Sequence, residues 1–417
     1  MAFTSVLAWI PWPSSPSSII LAILIAAPII IHLRDPLSSI PGPFWARWSP
    51  LWMIARSQSG NMHREMIHAH EQYGNLVRTG PNEVSTADGE AVLAIYGDLS
   101  LPIHCIGRRK FDLFPERDAK VHSSQRRLVN AIYSMSGVEE LEPYLDDVLR
   151  VFLDRMGEVD RERVDMSYWA QLFAFGYSRF SKRFGFIETG DDKGTFAQIE
   201  SALQSAAWIG QVPWLYWVHD WLAPWIGNRL GITNRHGLLR QIAADKVEQR
   251  RSKDGGGHRD ILEKLMEVQR RNPERFDGTA VLSNIFAGSD TTALSIGAIL
   301  YYLCKYPECK ARLVDEILAE SKAGSIGRAN VPWEVAGKMT YLQACIHEGL
   351  RLHPAAGMSM PRVVPPEGIT VKGTYLPGGT VIGANPWVVH RHKQIFGDDA
   401  DVFRPDRWLE DDATVKG

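Results

Sequence analysis

The sequence predicts a mainly α-helical protein with a small β region, an α+β arrangement, and three features carry that expectation. From Glu140 to about Ala319 the pattern is mostly helical. Extended character is confined to short pieces: Leu76–Arg78, Glu83–Ser85 and the Gly- and Pro-punctuated stretch "VVPPEGITVKGTYLPGGTVIGANP", residues 363–386. Nothing along the chain shows the regular strand–helix alternation of a parallel βαβ sheet. At 417 residues the chain is long enough to bury a large core.

Taken in order, residues 1–33 stand apart. "SSIILAILIAAPIIIHL" is apolar without a break from Ile19 to Ile31. With its flanks it approaches the ~20 residues that a spanning helix needs. Pro28 is tolerated in such helices. A cleaved leader would want a basic residue ahead of the run, yet the first 30 residues contain no Lys or Arg. Arg34 follows the run instead, which favours an uncleaved anchor with the body on the cytosolic side. Residues 34–43 follow as a proline-rich hinge, since Pro41 and Pro43 stiffen the backbone and cannot sit inside a helix. The body is residues 44–417. It opens with helix, the two short strands and helix, up to about Gly97. "KDGGGHRD", Lys253–Asp260, is a flexible connector by composition. The Trp-rich stretch from Ala206 to Ile232 reads either as aromatic core or as an apolar lid touching a bilayer.

A central helix is expected between Asp277, a capping residue, and Pro307, which ends it. About 28 residues would span about 42 Å. They are apolar nearly all round, so the helix should be buried on every side, with a second membrane span as the competing reading. Its centre, "AGSDTT", puts Gly288, Asp290, Thr291 and Thr292 where a buried helix would carry apolar side chains. Gly288 would let a flat ligand approach the backbone. Asp290 beside Thr291 suits a proton relay, and Thr291 should bond back to the Ala287 carbonyl and bend the helix. A solvated notch or a helix contact is the structural alternative.

"YLQACIHEGLRLHP" is an amphipathic helix ended by Pro354. Glu348 and Arg351 lie three apart on one face, so they can pair. As an exposed pair this would be commonplace. A second arginine, such as Arg407 in "FRPDRW", would make it a buried Arg–Glu–Arg cluster that specifies geometry. The zinc-protease reading of "HEGLR" fails, because the position of the second histidine is Arg351. The net charge of −2 points away from nucleic acid. Four cysteines, Cys105, Cys304, Cys309 and Cys345, make no disulfide framework and suggest a reducing compartment. No metal site is expected from ligand spacing.

These residues together resemble the haem-thiolate monooxygenases, the cytochromes P-450. "AGSDTT" is similar to that family's oxygen-activation motif, in which the acid and the alcohol, here Asp290 and Thr291, supply protons to the oxygen being reduced. "EGLR" and "FRPDRW" resemble the segments whose Glu348, Arg351 and Arg407 form the family's buried cluster. "HSSQRR" sits where the family has an aromatic residue and an arginine. His122 stands for the aromatic, a departure from the usual Trp. The resemblance implies that Arg126 and Arg362 grip the haem propionates. The whole chain most resembles fungal members of secondary metabolism, of the pisatin-demethylase and benzoate-hydroxylase type.

The resemblance implies a P-450 fold behind an N-terminal transmembrane helix, in the endoplasmic reticulum. It implies haem, electrons from NADPH through NADPH–cytochrome P-450 reductase, and insertion of one oxygen atom into an apolar small molecule. The family's Gly-rich loop carrying the cysteine ligand, and the helix after it, are expected beyond Gly417. The four cysteines present read as structural thiols. The chain is thus expected to be a shortened monooxygenase with an exposed apolar strip, or alternatively a non-catalytic relative without haem. A multi-span transporter would need more spans than the chain offers.

Overall fold

A computed structural model describes residues 34–97, 113, 116, 118–159, 163–176, 185–212, 218, 221–222, 225, 248, 260–276, 279–327 and 331–410. The expected anchor, residues 1–33, lies outside the described residues. So do Cys105, Asp277 and most of the connector at Lys253–Asp260.

The body opens with a 3-10 turn, Phe44–Arg47, then α1 (Leu51–Gln58) and α2 (Met62–Tyr73). The expected strands follow as β1 (Leu76–Gly80) and β2 (Glu83–Thr86), an antiparallel hairpin with Val77 opposite Ser85. α3 (Gly89–Gly97) comes next. The later extended stretch supplies β3 (Arg362–Val363), β4 (Ile369–Val371), β5 (Thr374–Leu376) and β6 (Val381–Ala384). β6 lies parallel to β2 and antiparallel to β3, giving a four-stranded sheet in the order β1-β2-β6-β3. β4 and β5 form a separate hairpin. Its turn residues Lys372 and Gly373 both have positive φ, 46° and 77°, as a two-residue turn with the twist of the strands requires.

The proline-rich hinge, residues 34–43, packs on the body. Leu37 and Ile40 are buried with Val84, Ile95, Leu376 and Ile382, so this segment is part of the sheet's core. Asp35 pairs with the buried Arg78. Burial alone would raise the Asp35 carboxyl, but the Arg78 hydrogen bond and charge hold it below its ordinary value. A side chain at position 42 would run into the Arg78 backbone, so Gly42 permits the crossing.

Helices make up most of the rest. α4 (Ala119–Val129) is capped by Asp118, whose carboxylate accepts from the Lys120 and Val121 N–H groups at 2.8 and 3.1 Å. α5 (Met135–Glu139), α6 (Glu142–Glu158), α7 (Met166–Gly176), α8 (Phe186–Thr189), α9 (Thr195–Ile209) and α10 (Ile261–Arg271) follow. Val129 of α4 packs with Ile261, Leu262 and Leu265 of α10.

The central helix is α11, Thr279–Lys305, and Pro307 opens α12, Pro307–Lys322. One expectation is corrected here. α11 is not buried on every side: Thr291, Thr292, Leu294, Tyr301 and Cys304 are exposed, while Ser289, Ala293 and Leu303 are buried. The buried side is set by two close contacts. Ala293 meets Ala170 and Ala174 of α7, and Ile299 fills the space that a side chain at Gly349 would need. The other face has no comparable seat among the described residues. The membrane-span reading of α11 also fails, since no helix among the described residues is long and apolar enough to cross a bilayer. Of the Trp-rich stretch, Trp221 and Trp225 are exposed and stack edge-on with centroids 5.0 Å apart, so these two are not core.

α13 (Trp333–Ala336) leads to α14 (Thr340–Leu352), and α15 (Pro386–Val389), α16 (Lys393–Phe396) and a 3-10 turn at Pro405–Trp408 complete the body. α14 has no capping side chain of its own. Glu316 of α12 caps it from outside, accepting from the Tyr341 and Leu342 N–H groups at 2.9 Å each. Replacing Glu316 with alanine should cost about 1–2 kcal/mol, measured as a shift of the urea midpoint at unchanged slope.

Candidate functional site

α14 buries the face that carries Tyr341, Cys345, Glu348 and Leu352. Glu348 is 0% exposed, with Arg351 at 3% and Arg407 at 1%. Arg351 donates to both carboxylate oxygens at 2.8 Å, and Arg407 Nε donates to one of them at 3.0 Å. The expected pair is therefore the buried cluster. Two further donors complete it: Trp408 Nε1 at 3.0 Å and the Arg404 N–H at 2.9 Å. Sequence reasoning had used Arg407 alone. The adjacent indole was the available signal for a second donor.

The arginines carry the network outward. Arg351 Nη1 donates to the His390 and Ala400 carbonyls at 2.7 and 2.6 Å, and Nη2 to that of Val402 at 3.3 Å. Arg407 reaches the Phe396 carbonyl at 2.7 Å and that of Asp399 at 3.2 Å. Burial would raise the Glu348 carboxyl, but the bonds and charges of Arg351 and Arg407 hold it below the usual range. These donors are spent on protein acceptors. The cluster's work is to pin residues 390–408 against α14, and Phe403 then stacks on Tyr302 of α11 with centroids 5.1 Å apart.

On α11, Asp290 and Thr291 point to different surroundings, as adjacent helical residues about 100° apart must. Small residues set the contact with α7. Gly297 faces Ser167, and Ala293 meets Ala170 and Ala174, so the two helices run antiparallel and Gln171 comes to Asp290. Burial pushes the half-buried Asp290 carboxyl up, and the charge of Glu200 on α9 adds to this, while a hydrogen bond from Gln171 opposes it. Thr291 is exposed. Two other hydroxyls of α11 make back-bonds of the kind expected from Thr291. The Thr292 hydroxyl donates to the Gly288 carbonyl at 2.7 Å, and that of Ser295 to the Thr291 carbonyl at 2.9 Å. Gln171→Leu should raise the Asp290 pKa further. A carboxyl NMR titration checks this, with Asp290→Asn assigning the signal.

The remaining candidates lie on other elements. His122, half-buried, and Arg126, exposed, are one turn apart on α4. Arg362 is half-buried on β3, its guanidinium 4.9 Å from the ring centre of Tyr96. Contacts thus join Glu348, Arg351 and Arg407, and through α14 they reach α11 with Gly288, Asp290 and Thr291. No described contact joins Arg126 to Arg362.

Fold and site together define a helix-rich protein whose buried Glu–Arg–Arg cluster is coupled to a long central helix with an acid and an alcohol at its middle. The family model described as Cytochrome P450 matches residues 39–416, and the chain belongs to that family. Similar proteins include several from fungi. The cytochrome P450 monooxygenase hepC of Aspergillus oryzae is 36% identical over 406 residues, covering 91% of this chain and 79% of that protein. The cytochrome P450 monooxygenase pkfB of Emericella nidulans is 35% identical over 421 residues, 93% and 80% of the respective chains. A cytochrome P450 monooxygenase of Aspergillus terreus is 32% identical over 421 residues, 94% and 85%.

Membership implies haem, and two sets of residues bear on its fit. Among the described residues Arg362 gives one hydrogen bond, from Nη1 to the Pro361 carbonyl at 3.1 Å, with its other donors turned to no described acceptor. These donors suit an anionic, carboxylate-bearing ligand. The described thiols do not suit iron. Burial pushes the Cys345 thiol up to about 12 and raises that of Cys309, so both stay protonated. Cys304 is exposed on α11, next to Lys305. No group of three metal-ligating side chains occurs among the described residues.

Proposed function

We propose that this protein is a haem-dependent monooxygenase of fungal secondary metabolism, acting on an apolar small molecule. The observation that supports this most directly is the Glu348–Arg351–Arg407 cluster, buried and fully bonded in a chain of this family. Arg126 and Arg362 would hold the haem propionates, and His122 would lie beside them. The haem, when bound, supplies the redox chemistry that activates dioxygen. Asp290 holds a proton near neutral pH more readily than an ordinary aspartate, because burial disfavours its charge. Thr291, on the exposed face of α11, would donate from its own hydroxyl. Gly288 keeps the helix surface flat where a planar ligand would approach. The buried cluster touches no ligand and instead fixes residues 390–408.

The wider setting belongs to the same proposal. Electrons come from NADPH through NADPH–cytochrome P-450 reductase. Residues 1–33 anchor the chain in the endoplasmic reticulum membrane, with the body, residues 44–417, in the cytosol. The exposed Trp221 and Trp225 suit contact with that membrane.

The test is reconstitution with haem, reductase and NADPH under labelled dioxygen, with a panel of apolar substrates. One labelled oxygen atom per product supports the reading. Asp290→Asn should then reduce product formation roughly 100-fold at unchanged haem content. Absence of haem uptake would leave the second reading, a non-catalytic relative.

A further inference from the structure

Arg362 sits at the edge of the sheet, on a two-residue strand. Its backbone is tied to β6, where Arg362 lies opposite Ile382. That pairing does not aim a long, flexible side chain. Tyr96, at the end of α3, does what the strand cannot. Its hydroxyl donates to the Met360 carbonyl at 2.8 Å and accepts from the Ala384 N–H at 3.0 Å. One phenol therefore bridges the loop entering β3 and the residue leaving β6. Its ring is held facing the Arg362 guanidinium at 4.9 Å. Burial keeps this phenol neutral, its pKa raised, so it remains a donor across the physiological range.

We propose that Tyr96 is the positioning residue for Arg362, presenting the guanidinium to a carboxylate of a bound porphyrin. This rests on the reading of Arg362 given above. The ring holds the cation by its face and leaves the edge donors free for a planar anion. The hydroxyl holds the ring. A tyrosine that only tied α3 to the sheet would affect charged and uncharged ligands alike. A tyrosine that aims Arg362 matters for charged ligands alone.

The experiment compares two iron-free probes, protoporphyrin IX and its dimethyl ester, by fluorescence titration of the full chain. They share one ring and differ in carboxylate charge. The wild type should bind the diacid more tightly, and Arg362→Leu should cut that preference about tenfold. Tyr96→Leu should cut it about fivefold, with the affinity for the ester little changed. Tyr96→Phe, which keeps the ring and frees it from Met360 and Ala384, should cut it about threefold. It decides the matter if the leucine variant does not fold. A Tyr96 variant that weakens both probes equally, its preference intact, would overturn the positioning role while leaving the reading of Arg362 in place. Loss of preference in neither Arg362→Leu nor the Tyr96 variants would overturn both.

Discussion

Glu348→Gln should destabilise the protein by about 3–5 kcal/mol, or prevent its folding. The carboxylate lies between Arg351 and Arg407, and all three side chains are buried, with Asp399, partly exposed, 3.4 Å from Arg407 at the margin. Glutamine keeps the shape but removes the charge, so two guanidinium groups remain desolvated against a neutral amide. An amide oxygen can accept from one or two of the five donors that converge here, and its NH2 group faces donors rather than acceptors. Replacing all three with apolar residues of similar volume should be far less damaging at this spot, since no uncompensated charge remains. The carbonyls of His390, Ala400 and Phe396 would then lose their donors, so full recovery is not expected. Urea unfolding of the single variant and the triple variant checks both statements. A loss below 1 kcal/mol for Glu348→Gln would mean that water reaches the cluster.

Acidification from pH 6.5 to pH 4 should cost about 3 kcal/mol through His70 alone. The ring is buried, with Nδ1 2.9 Å from the Gly74 carbonyl oxygen and Nε2 2.8 Å from the Ser85 hydroxyl. Burial, with the charge of His392, lowers its pKa to about 4, against the opposing effect of the Gly74 bond. The unfolded chain therefore binds the proton first as pH falls. Stability from this group is complete above pH 6.5 and is lost progressively down to pH 4. His63, His353 and His390 are lowered in the same direction by burial, and arginines stand near all three. Arg391 and both His63 and His353 surround one indole, that of Trp387. Acid lability should thus centre where α2 meets α15. His70→Gln isolates the first contribution: stability should fall less steeply with pH across this window, by about one proton. An unchanged slope would place the acid lability elsewhere.

Much of this architecture could be read from local pattern. β1 and β2 fell where β-branched residues alternate ahead of a Pro-Asn turn, because strand periodicity and turn chemistry are properties of neighbours in sequence. Glu348 and Arg351 could be paired from their spacing, because a helix fixes which residues share a face. The burial of α11 was misjudged for the same reason. Its composition is apolar throughout, but exposure depends on which helices arrive. α7 and α14 approach where Ala293 and Gly349 allow, and Tyr301 on the open side is 58% exposed. The proline-rich hinge before Phe44 also carries Leu37 and Ile40, whose burial in the sheet's core its prolines do not reveal.

By itself, the sequence determined the order of helices and strands, the long central helix with its polar middle, and the acid and arginines that belong together. Those depend on periodicity, caps and breakers acting within a few residues. Only the tertiary structure decided that Glu348 has five converging donors, that Asp290 turns to Gln171 while Thr291 faces out, and that Tyr96 stands against Arg362. Each of these joins groups dozens to hundreds of residues apart. Their distances are set by how whole elements pack, a quantity that no local pattern contains.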